Sequence, residues 1–81
     1  MIINNNTNSD LFINEHELKP GGCVNVMTCI FDTVNIHSNI GSAEIICEYG
    51  DRYIKCYGDL DLRKSPYDLG GDEYNVEIKV Q

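Results

Sequence analysis

The stretch from Glu44 to Tyr57 constrains the fold more than any other, because apolar and polar residues alternate on both sides of a central glycine. Gly50-Asp51 suits the two central positions of a type II′ turn, in which glycine comes first and the twist matches that of antiparallel strands. Pairing outward predicts Tyr49 opposite Arg52, Glu48 opposite Tyr53, Cys47 opposite Ile54, Ile46 opposite Lys55 and Ile45 opposite Cys56. Side chains alternate across a strand, so Ile45, Cys47, Ile54 and Cys56 form one apolar face. Glu44, Ile46, Glu48, Tyr53, Lys55 and Tyr57 form the other face, which is half-solvated. A one-residue slip would exchange the two faces, so the alternation specifies which side is buried.

The rest of the chain points to the same fold class. Ala43 is the single alanine, whereas β-branched and aromatic residues are frequent, a composition that suits strands more than helices. A chain of 81 residues is read as one domain, residues 1–81, with one modest core. Residues 1–9, rich in asparagine, offer little to bury and are expected to be a flexible lead-in. Residues 10–18 fit either a short helix capped by Ser9 or a short edge strand at Leu11-Phe12-Ile13, with strand or irregular structure preferred over helix. Lys19-Pro20-Gly21-Gly22 has the chemistry of a type II turn, with proline second and glycine third. From Cys23 to Ile36, Val24, Val26, Ile30, Val34 and Ile36 recur with period two, predicting one long strand buried on both sides near Met27 and Phe31. Asp32, on its inward series, marks a bulge or bend.

Turn residues fill His37 to Ser42, and Asp59-Leu60-Asp61-Leu62 reads as a charged edge strand. Residues 63–73, with Pro66 and Gly70-Gly71, read as a loop. Residues 74–81 then close the chain as a strand with Tyr74, Val76, Ile78 and Val80 inward. The expected architecture is all-β, with room for one short helix: a small antiparallel sandwich or partly open barrel of roughly four to six strands.

Charge narrows the partners. With 13 acidic and six basic residues the net charge is −7, which disfavours direct binding to nucleic acid or anionic lipid. A basic protein surface is the complementary partner. No apolar run approaches the roughly 20 residues of a membrane span. Residues 1–6 lack a basic segment followed by an apolar one, so the expected location is the cytoplasm, where thiols stay reduced. Cys47 and Cys56 lie diagonally on one hairpin face, within bridging reach, and a disulfide there would need an oxidising compartment.

Cys23, Cys29, Cys47, Cys56, His16 and His37 could supply four zinc ligands in number, but not in the close-spaced pairs that zinc modules use, and they read as core and surface residues. Cys29 with His37 lacks a turn that would present an activated nucleophile. No catalytic residue, metal or cofactor is therefore expected. The remaining signal is acidic and aromatic. Glu44, Glu48, Tyr53 and Tyr57 share the solvated hairpin face, while Asp59, Asp61, Asp68, Asp72 and Glu73 follow in the edge strand and loop. Carboxylates spaced along a surface can stand in the places of phosphates, and tyrosines anchor interfaces.

The reading that joins these features is a small acidic protein that inhibits its partner by occluding a basic, nucleic-acid-binding surface. Phages and mobile elements carry proteins of this size and charge as inhibitors of defence enzymes, the anti-CRISPR type included. An immunity protein against a basic toxin has the same physical logic. A structural subunit, of a virion or scaffold, that self-assembles through an edge strand is the alternative.

Overall fold

Most stretches in which apolar and polar residues alternate become strands with the apolar set turned inward, and the polar first residues join them. The computed structural model describes residues 1–29, 31–65 and 72–80. Among these lie β1 (Ile2–Asn5), β2 (Leu11–Ile13), β3 (His16–Leu18), β4 (Cys23–Asn25), β5 (Thr33–His37), β6 (Gly41–Glu48), β7 (Asp51–Gly58), β8 (Leu60–Lys64) and β9 (Glu73–Ile78). One sheet has the order β4-β1-β9-β8 and the other the order β3-β2-β5-β6-β7. The fold is all-β, and the two sheets enclose one core without closing into a barrel. Ile3, Leu60, Leu62, Tyr74 and Val76 enter that core from the first sheet, facing Leu11, Ile13, Val34, Ile36 and Ile45 from the second.

The strands are shorter and more numerous than expected. The predicted long strand from Cys23 to Ile36 is two strands in different sheets, because the chain turns between them. Asp32 makes that turn: its carboxylate accepts the Cys29 N–H at 2.5 Å and its own N–H donates to the Cys29 carbonyl at 3.2 Å. Its carbonyl then accepts the Cys47 N–H at 2.9 Å, which delivers the chain to the second sheet. Met27 and Phe31, expected to be buried, are instead 91% and 70% exposed. Residues 10–18 are the hairpin of β2 and β3, with Asn14 in the left-handed region at φ 56°. The turn after β3 is as expected, with the Gly22 N–H on the Lys19 carbonyl at 2.9 Å and Gly21 at φ 78°. At the end of β9 only Tyr74 and Val76 are buried; Ile78 and Val80 lie beyond the core at 46% and 82% exposure. Ile30, the segment of Pro66 and Gly70-Gly71, and Gln81 lie outside the described residues.

The expected flexible lead-in is a central strand. β1 lies between β4, antiparallel, and β9, parallel, so the first sheet is mixed. Its polarity was misleading because the asparagines bond along both of its faces. Outward, the Asn4 amide donates to Glu73 Oε1 at 2.7 Å and Asn75 Oδ1 at 2.9 Å. Inward, Asn5 is fully buried and donates to the carbonyls of Ser9 and Leu18, each at 2.9 Å. Its Oδ1 accepts the Thr7 N–H and hydroxyl at 3.0 and 2.6 Å. Replacing it leaves the buried Leu18 carbonyl and Thr7 N–H without their partner. Asn5→Leu, which keeps the branched outline of the side chain but removes its hydrogen bonds and adds bulk, is expected to lose about 2–3 kcal/mol of unfolding free energy in urea titration.

The hairpin of β6 and β7 forms with a different turn. Tyr49 and Gly50 are the central residues, both left-handed at φ 49° and 83°, which is a type I′ turn rather than the type II′ turn at Gly50-Asp51. The pairs become Glu48 with Asp51, Cys47 with Arg52, Ile46 with Tyr53, Ile45 with Ile54 and Glu44 with Lys55. This register sets Ile45 against Ile54 and Glu44 against Lys55, at the cost of Glu48 facing Asp51, and the Tyr49 ring meets Phe31 edge-on with centroids 5.3 Å apart. Both features offset the cost of a left-handed tyrosine. Relative to the expected pairing each residue shifts by two, so both faces keep their members.

At the far end of this hairpin Gly41 opposes Gly58, and a Cβ at Gly41 would sit 2.2 Å from the Tyr57 carbonyl oxygen. A Cβ at Gly50 would meet nothing within 4 Å. Gly41→Ala is therefore expected to cost about 2 kcal/mol or more and Gly50→Ala only about 1, compared by thermal and urea unfolding of the two variants.

Candidate functional site

Hydrogen-bond register carries residues from distant parts of the chain into common rows on the outer face of the five-stranded sheet. One row crosses all five strands as Glu17, Phe12, His37, Ser42 and Tyr57. The next holds Asn35, Glu44 and Lys55, then Thr33, Ile46 and Tyr53, and finally Glu48 and Asp51 at the hairpin end. Phe12, Tyr53 and Tyr57 are 46%, 52% and 51% exposed on this face. Four carboxylates, Glu17, Glu44, Glu48 and Asp51, accompany Lys55, and Lys19 Nζ lies 2.7 Å from Glu17 Oε1 at the β3 end. Glu44, Glu48, Tyr53 and Tyr57 thus share one surface, and Phe12 joins them. Its signal was present in the sequence, since inward Leu11 and Ile13 leave the residue between them pointing out.

The remaining acids do not join that surface. Asp61 lies on the outer face of the other sheet, opposite Glu77, and Arg63 sits between them at 3.0 Å from Asp61 and 3.8 Å from Glu77. Glu73 is on that same outer face, engaged by Asn4. Asp59 occupies the turn before β8, where its N–H donates to the Ile40 carbonyl at 2.8 Å and its carbonyl accepts from Lys79 at 2.6 Å. Asp68 lies outside the described residues. Of the acids expected to serve together from Asp59 to Glu73, Asp61 and Glu73 share the outer face of the four-stranded sheet, whereas Asp59 sits in a turn and Asp72 beside Arg52.

Asp72 has a structural position. It forms an ion pair with Arg52 of β7 at 2.5 Å, and its carbonyl accepts the Ile2 N–H at 2.6 Å, so it ties the first sheet to the edge of the second. Burial alone would lower the Arg52 pKa, but hydrogen bonds to Asp72 and Tyr74 outweigh it and raise the guanidinium above its usual range. The Arg52 hydrogen bond holds Asp72 below the usual carboxylate range. A depressed folded-state pKa stabilises above the unfolded value of about 3.9, and that contribution is lost as pH falls through the folded one. Solvent screens the pair, so Asp72→Asn is expected to cost no more than about 1 kcal/mol at pH 7. The gap from the parent should close by pH 2, read from melting temperatures at both pH values.

The thiols and imidazoles are dispersed. Cys47 is buried, whereas Cys23, Cys29 and Cys56 are exposed, and all four are free. Cys47 and Cys56 face Arg52 and Ala43, two register steps apart, which removes the diagonal contact a bridge would need. Partial burial pushes the Cys56 thiol up, and a backbone hydrogen bond from Leu62 offsets this only in part. His37 ends β5 while Cys29 precedes its start, so roughly 13 Å of strand separates them. Among the described residues no three of His, Cys, Asp and Glu are grouped to hold a metal ion. Among them, too, no helix is long and apolar enough to cross a membrane.

No known protein family, curated protein or solved structure matches this chain.

Proposed function

We propose that this protein is a binding module that docks the outer face of its five-stranded sheet on a basic protein surface and blocks nucleic acid from that surface. One observation carries the reading: three half-exposed aromatic side chains, Phe12, Tyr53 and Tyr57, stand among Glu17, Glu44, Glu48 and Asp51 on one rigid face. Aromatic residues in this setting bury large area at low entropic cost, while the carboxylates steer approach and compete for the positions of phosphates. The face is built on strands, so little ordering is needed on binding. The net charge of −7 extends the same attraction beyond contact range. In this reading the protein acts in the cytoplasm, as an inhibitor of a nucleic-acid-handling enzyme of the kind that phages direct against host defence.

The test compares two faces of the molecule. Protein immobilised on beads captures its partner from extract of the cells that produce it, and mass spectrometry identifies what is bound. A Tyr53→Ala/Tyr57→Ala variant and a Glu44→Lys/Glu48→Lys variant are each expected to weaken capture about tenfold or more, and heparin is expected to compete with the parent. An Asp61→Asn/Glu73→Gln variant on the other face is expected to bind as the parent does. Loss of binding with that last variant, and full retention with the first two, would overturn the reading.

A further inference from the structure

The two sheets have four edges, and they are treated differently. β3 and β4 are three residues each, and β8 is five residues with Asp61 and Arg63 along it. β7 is eight residues long, pairs only with β6 among the described strands, and keeps register without a bulge from Asp51 to Gly58. It holds no proline, and Tyr53, Ile54 and Tyr57 are 52%, 39% and 51% exposed. β7 carries Asp51, Arg52 and Lys55, yet it is neither short nor bent, the other devices by which folded proteins protect an edge. Residues flanking a two-residue hairpin loop exchange both backbone bonds, so Asp51, Tyr53, Lys55 and Tyr57 bond to β6. The N–H and C=O groups of Arg52, Ile54 and Cys56 therefore point to the other side.

We infer that a second copy of this chain pairs there, β7 antiparallel to β7 about a twofold axis at Tyr53, joining two five-stranded sheets into one. The sequence of β7 selects this register. A twofold axis at Arg52 or at Lys55 sets like charges directly opposite. An axis at Ile54 leaves Asp51 against Tyr57 and extends pairing toward Cys56, where the backbone of Leu62 already approaches. An axis at Tyr53 places each Asp51 opposite Lys55 of the second copy and packs the two Tyr53 rings side by side. Tyr53 is then a non-hydrogen-bonded pair, in which side chains come closest, while Arg52 and Ile54 exchange backbone bonds with their counterparts. Both copies remain self-complementary, and the pairing closes as a dimer rather than a fibre. This interface shares Asp51 and Tyr53 with the proposed partner face, and it leaves Phe12, Glu44 and Tyr57 of each copy on the joint outer face; its test reads self-association alone, with no partner present.

Sedimentation equilibrium tests it. The parent is expected to show reversible, concentration-dependent dimerisation, and Asp51→Lys and Lys55→Asp are each expected to weaken it about tenfold or more. Mixed in equal amounts, the two variants should recover association, because each lysine of one then meets an aspartate of the other; native mass spectrometry should find the heterodimer. If either charge reversal unfolds the chain by circular dichroism, Asp51→Asn and Lys55→Gln carry the same expectation of weakening. A parent that stays monomeric to about 1 mM, or variants that associate no better together than apart, would overturn the inference.

Discussion

The carboxamide of Asn5 is the point on which both sheets depend. It stands at the end of β1, a strand of the first sheet, and donates to the Leu18 carbonyl at the end of β3, a strand of the second. Thr7 and Ser9 close the network around it, so the connection between the sheets is polar, buried and fully bonded. An apolar residue there would add area to the core and leave carbonyl and amide groups without partners, which costs more than the added burial returns. The choice of asparagine therefore fixes how the sheets meet. β1 is then held between β4 and β9, and the first and last strands of the chain lie parallel in one sheet. Ile3, at the middle of that strand, is fully buried only because this arrangement places it there.

With the sheets so joined, the molecule presents two outer surfaces of different character. That of the four-stranded sheet is internally satisfied: Asn4 bridges Glu73 and Asn75, and Arg63 stands between Asp61 and Glu77. Its acids are largely committed to neighbours. The outer face of the five-stranded sheet carries its aromatic rings half in solvent, with acids exceeding bases around them. Because β7 extends beyond the cover of the other sheet, Ile54 on its inner side is 39% exposed as well. The same strand therefore contributes to a face and to an edge, and Arg52, paired with Asp72, keeps it anchored at the hairpin end.

Legibility in the sequence followed the physics of each signal. Period-two alternation reports which side of a strand is buried, and it did so for Ile45, Cys47 and Leu62. It does not report register. A displacement of two residues preserves every face, so Gly50 was equally compatible with either turn, and cross-strand pairing of Ile45 with Ile54 and Glu44 with Lys55 decided between them. Nor does alternation report where one strand stops. Val24, Val26, Val34 and Ile36 keep one phase through a turn at Asp32 that moves the chain from one sheet to the other. The asparagine run failed for a different reason: composition counts polar residues as solvent-seeking, whereas Asn4 bonds to Glu73 and Asn75 across the outer face and Asn5 to the Ser9 and Leu18 carbonyls within the fold.

The candidate face shows the same limit more sharply. Glu44, Glu48, Tyr53 and Tyr57 belong to one local hairpin, and local alternation placed them together correctly. Phe12 reaches Tyr57 only through His37 and Ser42, a row assembled by three separate strand pairings. No spacing in the sequence encodes that row, because the connections between these strands differ in length and one of them passes through the other sheet. Asp59 to Glu73 failed for the converse reason. Proximity along the chain suggested a shared surface, yet a turn, a strand face and an ion pair send Asp59, Asp61 and Asp72 to separate surroundings. For a small β-domain, charge that is contiguous in sequence is poor evidence of a patch. Charge that shares strand parity within one hairpin is good evidence, because only the first can be undone by the fold.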